Sequence, residues 1–269
     1  MSKVFVIAEL ACTWLHGGLE AAYRGIRAAK ECGADAAKFQ WTSDPIEMGK
    51  RRGMDGEKYR RLAWPYIWHD LLKAECDRAG IEYLCTVFTP EDVKAITPYV
   101  QRFKVSAFES LDNQLLEAVE DTGKPSIVSL NPDNRVEFER PNKAAVLHCV
   151  SKYPTPVDEL RLVLVQKPIV LKAGDLYEVA KFYQGVSDHT TSVLTGAVAV
   201  GAGARIIEKH VRLSDTPGDD PDYGHSLLLD KPNMECFYCT PSRWCKDCSR
   251  DGGSFAEYVS NIREAERML

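Results

Sequence analysis

Short β-rich runs alternate with amphipathic stretches of helical period from one end of the chain to the other. The spacing predicts strands over 4–9, 36–40, 82–86, 102–107, 126–129, 144–149, 184–187 and 205–208. Helices are predicted over 19–32, stopped by Gly33, over 66–79, stopped by Gly80, and over 255–268; two more begin near Pro90 and Asn113. A long basic loop is expected over 42–61. Segment 131–142 is too short and too polar for a good helix, and a further strand is expected at 168–172 between the sixth and seventh strands. Strand–helix alternation without an internal break requires parallel strands joined by crossovers. At this length the expected fold is α/β, a closed (β/α)8 TIM barrel spanning 1–269 as a single domain, with a doubly wound open sheet as the alternative.

Composition narrows the classes further. With 45% hydrophobic residues, 27% charged residues and a net charge of -5 over 269 residues, the chain has material for a core and is not disordered. No apolar run approaches the roughly 18 residues of a membrane span, and the chain enters a strand pattern directly after Met1 without a signal-peptide layout. A cytoplasmic protein with no membrane partner is expected. The pI of about 5.8 offers no global attraction to nucleic acid. Of nine cysteines, Cys12, Cys32, Cys76, Cys85 and Cys149 are scattered in or beside apolar stretches and read as small buried hydrophobes. The other four, Cys236, Cys239, Cys245 and Cys248, form two closely spaced CxxC pairs. They predict a small knuckle over 233–253, inserted after strand eight and tied by a structural Zn2+ ion, with an iron–sulfur cluster or unmetallated thiols as the alternatives.

In such barrels the chemistry gathers at the C-terminal ends of the strands. Those ends carry Glu9, then Lys38 and Gln40, Thr86, and Lys104 with Ser106 and Glu109. Ser129 follows, then His148 with Ser151 and Tyr153, Ser187-Asp188-His189, and Glu208-Lys209-His210. Lysines flanked by hydroxyls suit an anionic phosphate or carboxylate substrate. Two histidines on neighbouring strand ends can hold one divalent metal ion, and a carboxylate such as Glu9 or Glu109 can act as general acid or base. The joint pattern points to an enzyme acting on an anionic small molecule.

The segments IAEL, AAKECGADAAKFQ, KVSAFES, VLHCVSKYPTP, GVSDHT and IIEKHVRLSD resemble, in order and spacing, the sialic acid synthase family of N-acetylneuraminate and related nonulosonate synthases. The resemblance runs from about residue 4 to 230 and includes the last helix, NIREAERML. It implies a (β/α)8 barrel that condenses phosphoenolpyruvate with an open-chain acetamido or deoxy sugar, giving a 2-keto sugar acid and phosphate. It implies that His189 and His210 hold a divalent ion, Mn2+ or Mg2+. Lys38, Thr86, Lys104, Ser129, Ser151, Tyr153 and Ser187 would bind phosphoenolpyruvate. Glu9 and Glu109 would transfer protons, while Gln40 and Asp222 would position the acceptor or the metal shell.

The chain also departs from the family's pattern. Thr13-Trp14-Leu15-His16 stands where an Asn-His pair follows the first-strand glutamate, Ala107 replaces a serine, Ser151 an asparagine and Asp220 a glycine. The family's C-terminal antifreeze-like domain, which supports a swapped dimer, has no counterpart before Leu269, so a homodimer stays open. The cysteine knuckle is expected on the active-site rim, where it could act as a lid, with Arg243 supplying an acceptor-binding cation. Two alternatives accompany this reading: the same chemistry on an aldehyde other than a hexosamine, and a non-catalytic barrel serving as a binding or scaffold subunit.

Overall fold

The computed structural model describes residues 3–134, 138–162, 165, 168–173, 176–230 and 253–269. In it the apolar runs become β1 (Phe5–Ala11), β2 (Ala36–Gln40), β3 (Glu82–Val87), β4 (Phe103–Val105), β5 (Ser126–Leu130) and β6 (Ala144–Cys149). A hairpin follows, β7 (Pro168–Ala173) with β8 (Leu176–Lys181), and then β9 (Gly185–Asp188), β10 (Ile206–Arg212) and the short β11 (Leu227–Leu228). The helices are α1 (Gly18–Glu31), α2 (Pro45–Arg51), α3 (Trp68–Ala79), α4 (Pro90–Ile96), α5 (Asn113–Asp121), α6 (Thr195–Gly201) and α7 (Phe255–Met268).

β1 to β6 pair in sequence order, β6 pairs with β9, β9 with β10, and β10 with β1, every pair parallel. The eight strands therefore close into the expected (β/α)8 barrel, and the open-sheet alternative is excluded. Side chains alternate across each strand. Val6, Ala8 and Leu10 of β1 face the helices and join the main core, whereas Ile7 joins Ala36, Leu84, Ile127 and Leu147 in a separate apolar plug inside the barrel.

Three features differ from the sequence expectation. The basic segment 42–61 is not all loop: Asp44 caps α2 by accepting from the backbone N–H of Ile46 (2.9 Å) and Glu47 (3.0 Å), with Pro45 at the first helical position. Strand four is shorter than 102–107, and the strand expected at 168–172 has an antiparallel partner, β8, that the sequence did not suggest. The scattered cysteines are unpaired, with Cys12, Cys76, Cys85 and Cys149 buried and Cys32 half-buried. Cys236, Cys239, Arg243, Cys245 and Cys248 lie outside the described residues. No helix among the described residues is long and apolar enough to cross a membrane.

The last helix locks the closure. Arg263 on α7 donates to the Val4 carbonyl (2.7 Å) and to Asp35 (2.9 Å), tying it to the start of β1 and to the turn before β2. Behind β9 and β10, Lys209 pairs with Asp188 at 3.3 Å, and Tyr258 on α7 donates to Asp188 at 2.8 Å. Burial would raise the Asp188 carboxyl, but Lys209 and the Thr195 and Thr190 hydrogen bonds hold it below the usual carboxylate range.

Closure leaves no room beside Gly185: a Cβ there would sit 1.9 Å from the Ile206 carbonyl oxygen and 2.8 Å from Leu147 Cδ2. Gly185→Ala is expected to lower the free energy of unfolding by about 3 kcal/mol or more. Gly201→Ala, at the exposed end of α6 with nothing within 4 Å, should raise it by up to about 1 kcal/mol. Denaturant titration of both variants checks the contrast, and equal effects would contradict this account of the β9–β10 contact.

Candidate active site

One strand period above the plug, the interior turns polar. Glu9, Lys38, Thr86 and Ser129 follow Ile7, Ala36, Leu84 and Ile127 by two residues, so each points to the same interior one layer higher. Lys104 on β4, Ser187 on β9 and Glu208 on β10 complete the layer. These seven residues are almost completely buried, yet all except Glu9 line a cavity of about 350 Å³.

Glu208 is the centre of this layer. It accepts a hydrogen bond from Ser187 Oγ (2.7 Å) and lies 3.3 Å from Lys38 Nζ and 3.6 Å from Lys104 Nζ. Burial alone would raise its pKa, but the Lys104 and Lys38 ammonium groups hold it well below the usual carboxylate range. Lys38 also pairs with Glu9 and donates to Thr86 Oγ1 (2.8 Å), while Lys104 donates to Ser129 Oγ (2.8 Å) and the Val105 carbonyl (3.0 Å). Burial nevertheless pushes the Lys38 ammonium down to about 8, with Glu208 opposing the shift and Lys104 adding to it. Two ammonium groups and three hydroxyls thus converge on one small space, a donor set suited to phosphate and carboxylate oxygens.

A histidine cluster forms another wall. His189 faces Tyr153 with ring centroids 4.2 Å apart and His210 at 5.2 Å, and His210 lies 4.6 Å from His225. His189 donates its Nδ1–H to the Val150 carbonyl (3.0 Å), because a carbonyl can only accept. Its Nε2 faces Ser187 Oγ at 3.3 Å, but that hydroxyl's single proton is directed to Glu208, so the Nε2 lone pair has no donor. Burial lowers the His189 pKa to about 4, and burial followed by the neighbouring His225 and His189 holds His210 far below its usual value. Asp222 lies 3.8 Å from His210 Nδ1 and 3.3 Å from His225 Nε2. Side-chain atoms of His210, Asp222 and His225 all fall within 4.8 Å of one another, a grouping able to hold a metal ion.

At the rim, Glu109 accepts from Arg52 Nε and Ser106 Oγ. The Arg52 guanidinium is set among aromatic rings, 4.8 Å from the Phe108 centroid and 5.2 Å from that of Phe88.

Of the residues singled out in the sequence, Lys38, Gln40, Thr86, Lys104 and Ser129 line the cavity, as do Tyr153, Ser187, His189, His210 and Asp222. Glu9 lies beneath them, joined through Lys38 and a 3.3 Å hydrogen bond from Gln40. Glu109 sits behind Arg52 and Ser106, which line the cavity themselves. Ser151 does not join them: it lies beyond the end of β6, where strand alternation no longer sets its direction, and lines a separate polar cleft with Asn131, Lys152 and Glu159. Sequence reasoning named Glu208 among the strand-end residues without giving it a role, and did not select His225 or Arg52. Glu208 precedes His210 by two residues on β10, so strand period alone marks it as inward; Asp222 and His225 share the i, i+3 spacing of one helical turn.

The sequence profile of the NeuB family matches residues 25–235. The chain is 31% identical over 252 residues to a pseudaminic acid synthase of Campylobacter jejuni, covering 85% of this chain and 71% of that protein. It is 29% identical over 259 residues to an N,N'-diacetyllegionaminic acid synthase of Legionella pneumophila, covering 86% of this chain and 69% of that one. The fold is similar to the crystal structure of an N-acetylneuraminic acid synthetase from Leptospira borgpetersenii in complex with citrate. That match has a TM-score of 0.75 at 22% identity and covers 100% of this chain and 85% of that one.

Because the free Lys38 ammonium loses its proton as pH rises through about 8, the cavity should hold a small dianion best below that pH. Calorimetric titration with inorganic phosphate is expected to show affinity falling between pH 7.5 and 9.5, approaching about tenfold per unit above the pKa. Constant affinity across this range would separate Lys38 from anion binding.

Proposed function

Since the chain belongs to the NeuB family, we propose that it condenses phosphoenolpyruvate with an aldehyde sugar, giving a 2-keto acid of the nonulosonic type and releasing phosphate. The observation that carries this reading is the buried pair Lys38 and Lys104, set among the Thr86, Ser129 and Ser187 hydroxyls at the mouth of a closed barrel. Phosphoenolpyruvate brings a carboxylate and a phosphate that carries about -1.5 to -2 charge. Its oxygens compete with Glu9 and Glu208 for the two ammonium groups.

In the reaction, C3 of phosphoenolpyruvate bonds to the aldehyde carbon, whose oxygen takes a proton. Water adds at C2 and loses one proton; the hydroxyl that remains passes its proton to the departing phosphate as the C2–O bond to phosphate breaks, leaving the ketone. Glu9 and Glu109 are the carboxylates assigned to these proton transfers. Lys38 and Lys104 hold the phosphate and carboxylate in register and neutralise the departing phosphate. Arg52 and Ser106 fix the Glu109 carboxylate at the rim, where the acceptor enters.

The charge balance favours a further cation, because Glu9, Glu208, Asp222 and the donor together outweigh the two lysines. The histidine wall fits a divalent ion: His210 Nδ1 is buried without a hydrogen-bond partner, and His189 Nε2 has an uncommitted lone pair. When bound there, such an ion polarises the aldehyde carbonyl as a Lewis acid.

Phosphate release from phosphoenolpyruvate in the presence of Mn2+ tests the proposal, using a panel of aldoses headed by N-acetylmannosamine and extended to other small aldehydes. Release with at least one aldehyde is expected, with Lys104→Ala lowering kcat/KM by about 10²–10³-fold. Wild-type protein that neither binds phosphoenolpyruvate nor releases phosphate would overturn the reading and favour a binding role for the barrel.

A further inference from the structure

His225 belongs to no strand. It closes a single 3-10 turn, Tyr223–His225, that Asp222 begins without capping it through its side chain. The turn is nevertheless well held. The Arg212 guanidinium lies 4.0 Å from the Tyr223 ring centroid, and Ser226 Oγ donates to the Asp222 carbonyl at 2.6 Å. This arrangement brings His225, only 2% exposed, against His210 at the end of β10.

Two nitrogens here are buried and lack hydrogen-bond partners, His210 Nδ1 and His225 Nε2. Leaving such atoms unsatisfied is costly and uncommon. Both are turned towards one Asp222 oxygen, at 3.8 and 3.3 Å. Ligand atoms about 2.1 Å from a tetrahedral ion lie about 3.4 Å apart, and both spacings to Asp222 fall within about 0.4 Å of that. The other Asp222 oxygen lies 3.9 Å from the Arg61 guanidinium. Glu208 is not part of this grouping; it faces Ser187, Lys38 and Lys104 instead. His210, Asp222 and His225 all line the cavity, so an ion held by them keeps open positions facing it.

We propose that Asp222 and His225 are direct ligands, with His210, of a first-row divalent transition ion, giving this chain a three-ligand site beyond a histidine pair. Two imidazole nitrogens with one carboxylate favour Mn2+, Fe2+, Co2+ or Zn2+ over the all-oxygen shells of Mg2+ and Ca2+. Asp222 then acts through the ion and not as a direct contact to the acceptor. The ion's part in turnover rests on the functional reading above; its binding does not.

The test is isothermal titration of metal-free protein with Mn2+, with Co2+ visible absorption as a second probe of the ligand set. Wild type, His225→Ala, His225→Gln and Asp222→Ala are compared, each first shown by thermal unfolding without metal to be folded. Removing either ligand is expected to weaken Mn2+ binding by about tenfold or more and to alter the Co2+ spectrum. Unchanged Mn2+ affinity and an unchanged Co2+ spectrum in folded His225 and Asp222 variants would overturn the proposal, as would a wild type that binds neither ion. Phosphate release by wild type alongside unaltered metal binding in the variants overturns the ligand assignment alone. Metal binding through His225 with no phosphate release overturns the functional reading alone.

Discussion

Closure of the sheet, β1 against β10 in parallel register, is the constraint on which the rest of the molecule depends. That register sets Glu9 opposite His210 and, on the other side of β1, Glu9 opposite Lys38. With the register fixed, strand alternation leaves no choice about direction: residues of one parity build the plug and the cavity, and residues of the other parity build the helix-facing core. A one-residue slip would turn Glu9, Lys38 and Glu208 into the apolar layer. The external pair Asp188–Lys209, its hydrogen bond from Tyr258, and the Arg263 contacts to β1 oppose such a slip from outside the barrel.

The polar layer is held together by opposite charges and hydroxyls on residues that are almost completely buried. Burying Glu208 beside Lys38 and Lys104 pairs each charge with an opposite one, through contacts that an incoming anion can replace. The depressed Lys38 ammonium shows that the existing partners do not fully offset its burial. A phosphate or carboxylate arriving there meets donors that are already oriented, so little reorganisation is needed when it binds. The same closeness explains the part played by Glu208 in the cavity wall: it fixes where the two ammonium groups stand.

Most of this was legible in the sequence because strands carry their geometry in a period of two. The eight barrel strands and the strand-end lysines, serines and histidines follow from that period. What escaped it lies where another rule governs. The α2 helix was hidden in a basic segment whose Asp44–Pro45 start is a capping signal and not a hydrophobic one. Arg52 follows that helix and reaches Glu109 across 57 residues of sequence, a contact no local pattern encodes. Glu208 was visible as part of Glu208-Lys209-His210, yet its role depends on lysines from β2 and β4 that only closure brings near. His225 and Ser151 lie beyond strand ends, where direction is set by the turn and not by alternation.

That boundary also divides the chemistry. The groups suited to phosphate and carboxylate stand on strands, each fixed by ladders on both sides, whereas Asp222 and His225 stand on a turn held by Arg212, Tyr223 and Ser226. Substitution within a ladder disturbs two neighbouring strands, while substitution on the turn disturbs little but the turn. A barrel of this kind can therefore keep its anion-binding half constant and vary the half that meets the second substrate. His225 shows how a turn can do this: the short turn sets its ring beside the strand-borne His210 without altering any strand. The anion-suited groups are thus placed by the strands, and the groups that stand beside His210 are placed by the turns above them.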